Sequence, residues 1–438
     1  MSMQSLALLK PIQSILWSVA LLLLGNGLIS TLLTLRGTSE GFSSAVMGMI
    51  MSAYFVGFIC GTWVSGRLIR RMGHIRTFAF CASICATTTL LHIIFIDQWA
   101  WMGFRFFYGL AYITLMTVIE SWLNSQAASH ERGRIFAFYM VVNLGALAIA
   151  QQLLHLDSPE GFLLFALVSI LVSWAILPLT ITRRNQPNIA TERPKSSLKN
   201  LLRIAPLSVA GASLSGLAMG AFWSMTPIYA TQLGYDISGI ALIMSLTIIG
   251  GAVLQIPIGR YSDKHDRPKV MTWVVMLAAA ISIVMIVASS QKLLLSMFFI
   301  WGGLAFSIYP LSVAQLIDQL HPDEIVSGSS DMLVLHGAGC AFAPVLSGSL
   351  MTLLGPHGLP IYIGLVLLLL GSYIVYRRRR VVDLVSGRNA HFEPMVQTSA
   401  QALNMMFDQK QRDLFDDPSF YGEEEQNRII SVLRQSGS

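Results

Sequence analysis

The residue whose type and setting most suggest chemistry is Arg105, because it lies inside an apolar stretch. A charge at such a place is costly and is by default a functional candidate. Arg105, Tyr108, Gly109 and Tyr112 fall at i, i+3, i+4 and i+7, so they share one face of a helix. A guanidinium on that face can bind an anionic group or hold a neighbouring acid's pKa down. The alternative is a snorkelling arginine that bonds backbone carbonyls and stiffens its helix. Asn26, Trp223, Tyr229 and Gln315 are further polar or aromatic groups within apolar stretches, as are Asn143, Gln151, Gln152, Gln255 and His336. Each can contact a solute or bond a neighbouring helix. Glu120 and Asp318 stand near the ends of their stretches. The chain has no phosphate-binding Gly-x-x-x-x-Gly-Lys-Ser/Thr loop, no His-Glu-x-x-His and no Cys-x-x-Cys. It also lacks a convergent acid, base and nucleophile, so the expectation is a protein that is not an enzyme, with no cofactor and no metal.

The elements that must position these residues are read from composition. The 438 residues are 54% hydrophobic and 12% charged, with mean hydropathy +0.62, against about 25% charged in soluble domains. Apolar runs of about 20 residues, each long enough to cross a hydrocarbon core of about 30 Å, recur along the chain. They predict twelve spans near 12–35, 44–66, 77–96, 99–122, 135–155, 161–182, 205–230, 237–259, 270–290, 293–317, 326–354 and 358–376. The first is too long for a signal-peptide core and is expected to be retained. Cys60, Cys81, Cys85 and Cys340 all lie in apolar runs, which argues against a disulfide framework.

Loops alternate between a set rich in Lys and Arg, which includes the termini, and a set holding only Arg36 and Lys292. By the positive-inside rule the rich side is cytoplasmic, so both termini are expected there, in an inner membrane. The net charge of +6 thus speaks of orientation in a lipid bilayer and not of nucleic acid. The expected organisation is a six-helix bundle over 1–182, a basic linker over 183–204, a second six-helix bundle over 205–376 and a largely disordered tail over 377–438.

A shift of 193 residues superposes the first two spans of each half without a gap. Gly27 falls on Gly220, Ile50-Met51-Ser52 on Ile243-Met244-Ser245, Gly57 on Gly250, and Gly66-Arg67 on Gly259-Arg260. Two six-span halves of parallel topology indicate a transporter with its site between them at mid-membrane. Gly66-x-x-x-Arg70-Arg71-x-Gly73-His74-x-Arg76 and Gly259-x-x-x-Asp263-Lys264-x-Asp266-Arg267-x-Lys269 resemble the loop motif of the major facilitator superfamily, Gly-x-x-x-Asp-Arg-x-Gly-Arg-x-Arg/Lys. Arg105-x-x-x-Gly109 resembles that family's second motif. The resemblance covers about residues 12–376 and implies an all-α membrane protein of twelve helices in two pseudo-symmetric bundles. It also implies a central cavity lined by spans one, four, seven and ten, which would gather Asn26, Arg105, Tyr108, Tyr112, Trp223, Tyr229 and Gln315.

Two departures from the motif bear on gating. Arg70 stands where the family usually has Asp, and Asp266 where it has Gly. The family's acid helps hold the cytoplasmic side shut, which suggests a charge-swapped latch from Arg70 to Asp323, Glu324 or Asp331, with Asp263 facing Arg134. Glu120, close to Arg132 and Arg134, resembles the family's acid-to-arginine gate pairs, with Asp318 as its counterpart in span ten. The expected function is secondary active transport of a small solute, neutral or anionic, by a monomer rocking about a central site, with protons as the driving ion. A solute sensor signalling through its tail is the alternative from a different class.

Overall fold

The computed structural model describes residues 12–126, 132–181, 198–288, 290–320, 324–380 and 395. The described chain is helical, with short 3-10 turns and no strand among the described residues. Eleven apolar stretches are long enough to cross a bilayer, and the last, Ser327–Arg378, contains two helices broken by a 3-10 turn at Gly355–His357. Gly355 makes that break at φ 65°, a left-handed value that favours glycine.

The twelve resulting spans are, in order, Gln13–Ser39, Ser44–Met72, His74–Ile94, Gln98–Gln126, Arg132–Gln152 and Leu163–Trp174 with its continuation Leu177–Ile181, then Pro206–Gln232, Ile237–Lys264, Arg267–Val284, Gln291–Ile317, Ile325–Leu354 and Gly358–Arg380. Between the two sets of six, Leu198–Ile204 forms a short helix, and the rest of the expected linker lies outside the described residues. Of the expected tail, 377–380 continue the last helix, and the rest lies outside the described residues except Met395. Even-numbered spans end on the side where Arg67, Arg70 and Arg71 cluster, called here the basic face.

Spans two and eight run farther than their apolar length suggests, to Met72 and Lys264. The loop motif is therefore mostly helix, and its Arg70 and Arg71 occupy a last turn, where cations suit the exposed carbonyls. The actual turn in the first copy is Gly73, at φ 77°. In the second copy the equivalent Asp266 has φ −56° and instead caps span nine, its carboxylate accepting from the Lys269 amide at 2.9 Å. Glycine and aspartate thus solve one problem, the start of the next helix, in two ways.

Inside each bundle the backbones approach closely. Gly57 of span two lies against the Phe106 carbonyl of span four, and Gly109 of span four against the Tyr54 carbonyl of span two; a Cβ at either place would overlap the oxygen. In the second bundle Gly250 meets Phe299 and Gly302 meets Thr247 in the same manner. All four pairs are related by the 193-residue shift, so the repeat extends through spans four and ten. The helix caps follow it as well, since Ser43 accepts from the Val46 amide and Asp236 from the Gly239 amide. In lipid no hydrophobic force draws helices together, and such small-residue contacts supply the packing.

Gly57→Ala and Gly109→Ala are each expected to destabilise the protein by about 1–3 kcal/mol through overpacking. Gly103→Ala, in span four with nothing within 4 Å of its added methyl, is expected to be neutral or stabilising. Thermal unfolding in detergent measures all three. Equal losses at the three positions would mean that packing is not the cause.

Candidate functional site

The two bundles are joined at the face opposite the basic one. Spans two and eleven meet there, with Gly48 against the Pro344 carbonyl and Gly348 against the Ser44 carbonyl. The Ala45 amide donates to Thr352 Oγ1 at 3.1 Å, and Gln232 Nε2 of span seven donates to Ser44 Oγ at 3.1 Å. Spans five and eight form the matching seam, where Gln152 Nε2 donates to Ser245 Oγ at 2.7 Å and that hydroxyl donates to the Ala148 carbonyl at 3.0 Å.

Below this clamp lies a cavity between the bundles. Span two contributes Tyr54, Phe55 and Phe58, span seven Met219 and Trp223, span ten Ala305, Phe306 and Tyr309, and span eleven Leu333, His336, Gly337 and Cys340. Phe58 lies midway along its 29-residue helix, about 21 Å from the helix start at about 1.5 Å per residue. The space measures about 790 Å³, its open side included. Its wall is largely aromatic and carries no Asp, Glu, Lys or Arg among the described residues. Among the described residues His336 is the wall's one titratable nitrogen group, with Nδ1 3.2 Å from the Ala212 carbonyl and 3.1 Å from Ser215 Oγ. A carbonyl can only accept, so Nδ1 carries the proton in that contact and Nε2 is the ring's acceptor.

Behind the wall sits Arg105, fully buried. Its guanidinium lies 4.5 Å over the Tyr54 ring and 5.4 Å over that of Tyr108. None of its three nitrogens has a hydrogen-bond acceptor, nor does it form an ion pair, among the described residues. The faces of two tyrosines are therefore its main electrostatic support, the weaker substitute for a carboxylate. Gly109 explains the spacing of the motif. Its missing side chain lets the span-two backbone close on span four at Tyr54, and one turn earlier Arg105 then lies over that residue's ring. Tyr112 stacks on Tyr108 at 6.3 Å, and Asn26 reaches the Tyr54 side chain from span one.

A profile of the Major Facilitator Superfamily matches residues 15–330 and 211–421. The chain belongs to the major facilitator superfamily. It is a multi-pass membrane transporter of a small solute. The uncharacterized MFS-type transporter YcaD of Escherichia fergusonii is 29% identical over 343 residues, 78% of this chain and 89% of that one. YcaD of Salmonella typhimurium matches equally. The solved structure of the nucleoside transporter NupG has 17% identity and TM-score 0.66, over 84% of this chain and 96% of that one. An inward-facing, occupied bacterial homolog of the human lysosomal transporter Spinster has 12% identity and TM-score 0.68, over 84% and 96%. At these identities the likeness to the solved structures is one of fold.

The superfamily's cavity residues divide in this chain. Asn26, Arg105, Tyr108 and Tyr112 gather around Tyr54 as a second layer, whereas Trp223 is the one expected residue in the cavity wall itself. Tyr229 packs on Phe298 at 6.1 Å, toward the clamp, and Gln315 is buried lower in span ten. Phe298 occupies the repeat position of Arg105, so the second bundle has an aromatic ring where the first has a charge. The hub that sequence reasoning passed over is Tyr54. Its signal was available in Tyr54, Phe55 and Phe58 beside Gly57 and Gly61, an aromatic cluster on a glycine-bearing span.

On the basic face the two motif copies differ. Arg267, almost fully buried, donates Nε to Asp318 at 3.0 Å and Nη2 to Asp263 at 3.4 Å. Asp318 thus finds its arginine within its own bundle. Glu120 is buried and accepts from the Tyr139 hydroxyl of span five at 2.6 Å. Arg70 is exposed and forms no ion pair among the described residues, so the expected latch is not made to Glu324 or Asp331, and Asp323 lies outside the described residues. Arg71, Arg76, Arg134, Lys264 and Lys269 are exposed, and Gly66 and Gly259 lie in the last turns of their helices. Of the remaining polar groups, Gln151 joins spans one and five by accepting from Thr31 at 2.6 Å, and Gln255 joins spans eight and ten by donating to the Phe306 carbonyl at 2.5 Å.

Coupling between Arg105 and Tyr54 is open to a double-mutant cycle. Tyr54→Leu is expected to destabilise more than Tyr54→Phe, which keeps the ring. The excess should vanish in an Arg105→Met background, giving an interaction energy of about 0.5–2 kcal/mol. Thermal unfolding of the single and double variants measures it, and additive losses would mean the ring does not support the charge.

Proposed function

We propose that the protein is a secondary active transporter working by alternating access, with the basic face cytoplasmic. The observation that carries this reading is an aromatic cavity at mid-depth, clamped on one side of the membrane while the Arg70 latch on the other side is unmade. A cavity reachable from one side at a time, between halves related by repeat, is what a rocking transporter needs. The absence of a nucleotide-binding motif leaves an ion gradient as the energy source, and protons are the proposed ion. The wall offers aromatic faces and few polar atoms, which suits a small amphipathic solute. Arg105 behind Tyr54 places an unneutralised positive charge at one side of that wall, which disfavours a cation and favours a neutral or anionic solute. Both termini are then cytoplasmic, and the site residues proposed to contact or tune the solute are Tyr54, Arg105, Trp223, Tyr309 and His336.

Two measurements test this. Untargeted comparison of small molecules inside and outside cells should reveal a solute that redistributes with the wild type and does not with Arg105→Ala at matched expression. Gln152→Cys paired with Ser245→Cys should then, once oxidised, abolish that flux, and reduction should restore it. Flux that persists with the seam locked would overturn alternating access at this interface.

A further inference from the structure

We propose that the C-terminal tail is a tethered occupant of the central cavity, its Met395 seated on the aromatic surface that a transported solute would use, so that tail and solute exclude one another. The inference rests on the reading of the cavity as the transport site. Met395 follows the last span by 15 residues, past the block Arg377 to Arg380. A residue there is expected in water. Instead it is 4% exposed and forms part of the cavity wall with Tyr54, Phe58, Trp223, Tyr309 and Cys340.

The route is fixed by geometry. Span twelve delivers the chain to the basic face, and the opposite ends of the bundles are joined by the Gly48, Thr352, Gln232 and Gln152 contacts. Fifteen residues extended at about 3.4 Å each reach about 50 Å, more than twice the depth to mid-membrane. Met395 therefore enters from the basic face, by the route proposed for solute on that side.

The chemistry of the occupant matches the wall. Methionine is unbranched and adaptable, and its thioether makes favourable contacts with aromatic rings. The wall holds five aromatic residues beyond Tyr54, drawn from spans two, seven and ten. The residue before Met395 is Pro394, which has no amide proton. The residue after it is Val396. The wall comes from both bundles, so the occupant stands where the two halves must move relative to each other. A tail bound there lowers the fraction of transporter competent for solute, and it does so from within the same chain, independent of protein concentration.

Cys340 reports occupancy without any solute. In purified full-length protein with Cys60, Cys81 and Cys85 replaced by Ser, Met395→Asp is expected to raise the rate of Cys340 modification by N-ethylmaleimide about tenfold, as for a cavity freed of a tail bound about nine-tenths of the time. Met395→Leu should leave the rate unchanged. A synthetic peptide of residues 391–399 should slow the Met395→Asp variant again, and the same peptide carrying Asp at 395 should not. An unchanged rate in Met395→Asp, an equal acceleration in Met395→Leu, or a failure of the peptide to reverse the effect would overturn the occupancy. Flux is read separately in cells, where Met395→Asp should increase it. Fast, peptide-reversible Cys340 modification with flat flux would keep the tail in the cavity and overturn the cavity's assignment to transport.

Discussion

The fold depends on backbone touching backbone. Two helices can approach to that distance only where one lacks a side chain, and this chain supplies the lack at Gly57 and Gly109 in the first bundle and at Gly216, Gly250, Gly302 and Gly339 in the second. In lipid this contact is the main means by which one helix can hold another rigidly. Rigid bundles are also what a rocking mechanism requires, since motion must be confined to the seams between them. Those seams are built differently. At spans two and eleven glycine again meets carbonyl, through Gly48 and Gly348, while spans five and eight meet through the exchangeable hydrogen bonds of Gln152 and Ser245.

The same glycine that fixes the first bundle sets its electrostatics. Because Gly109 draws Tyr54 close, Arg105 is covered by an aromatic face and is kept in the membrane interior without a carboxylate. A guanidinium paired with an acid would present no net charge to the cavity. Supported by tyrosines instead, it keeps its field, and the low dielectric around it lets that field reach across the wall. The second bundle has Phe298 at this place. The cavity is consequently asymmetric in charge although its frame is close to two-fold.

Much of the frame was legible from residues alone. Span number follows from apolar length, and the loop motif, the 193-residue repeat and the Arg105-x-x-x-Gly109 spacing name the superfamily. The site was legible only in part. Helix-face reasoning brings Tyr108, Gly109 and Tyr112 beside Arg105, but it works within one helix. It cannot say that Tyr54 of another span slips between Arg105 and the cavity, so residues expected in the wall form a layer behind it. The partner of Asp318 was hidden for a similar reason. Asp318 and Arg267 are far apart in sequence and meet because spans nine and ten pack together, a contact that no periodicity records.

The tail was the least legible part, since acids, glycine and proline make residues 381–438 read as a segment unable to bury a core of its own. That reading concerns a chain folding alone. A short apolar element such as Met395 needs no core of its own when the bundles already provide an aromatic one. The physical question for such a segment is therefore not whether it can fold but whether a cavity elsewhere in the chain has the chemistry to receive it. If the receiving surface is also the solute's, as proposed, the strength of the tail's hold becomes a direct measure of what that surface prefers.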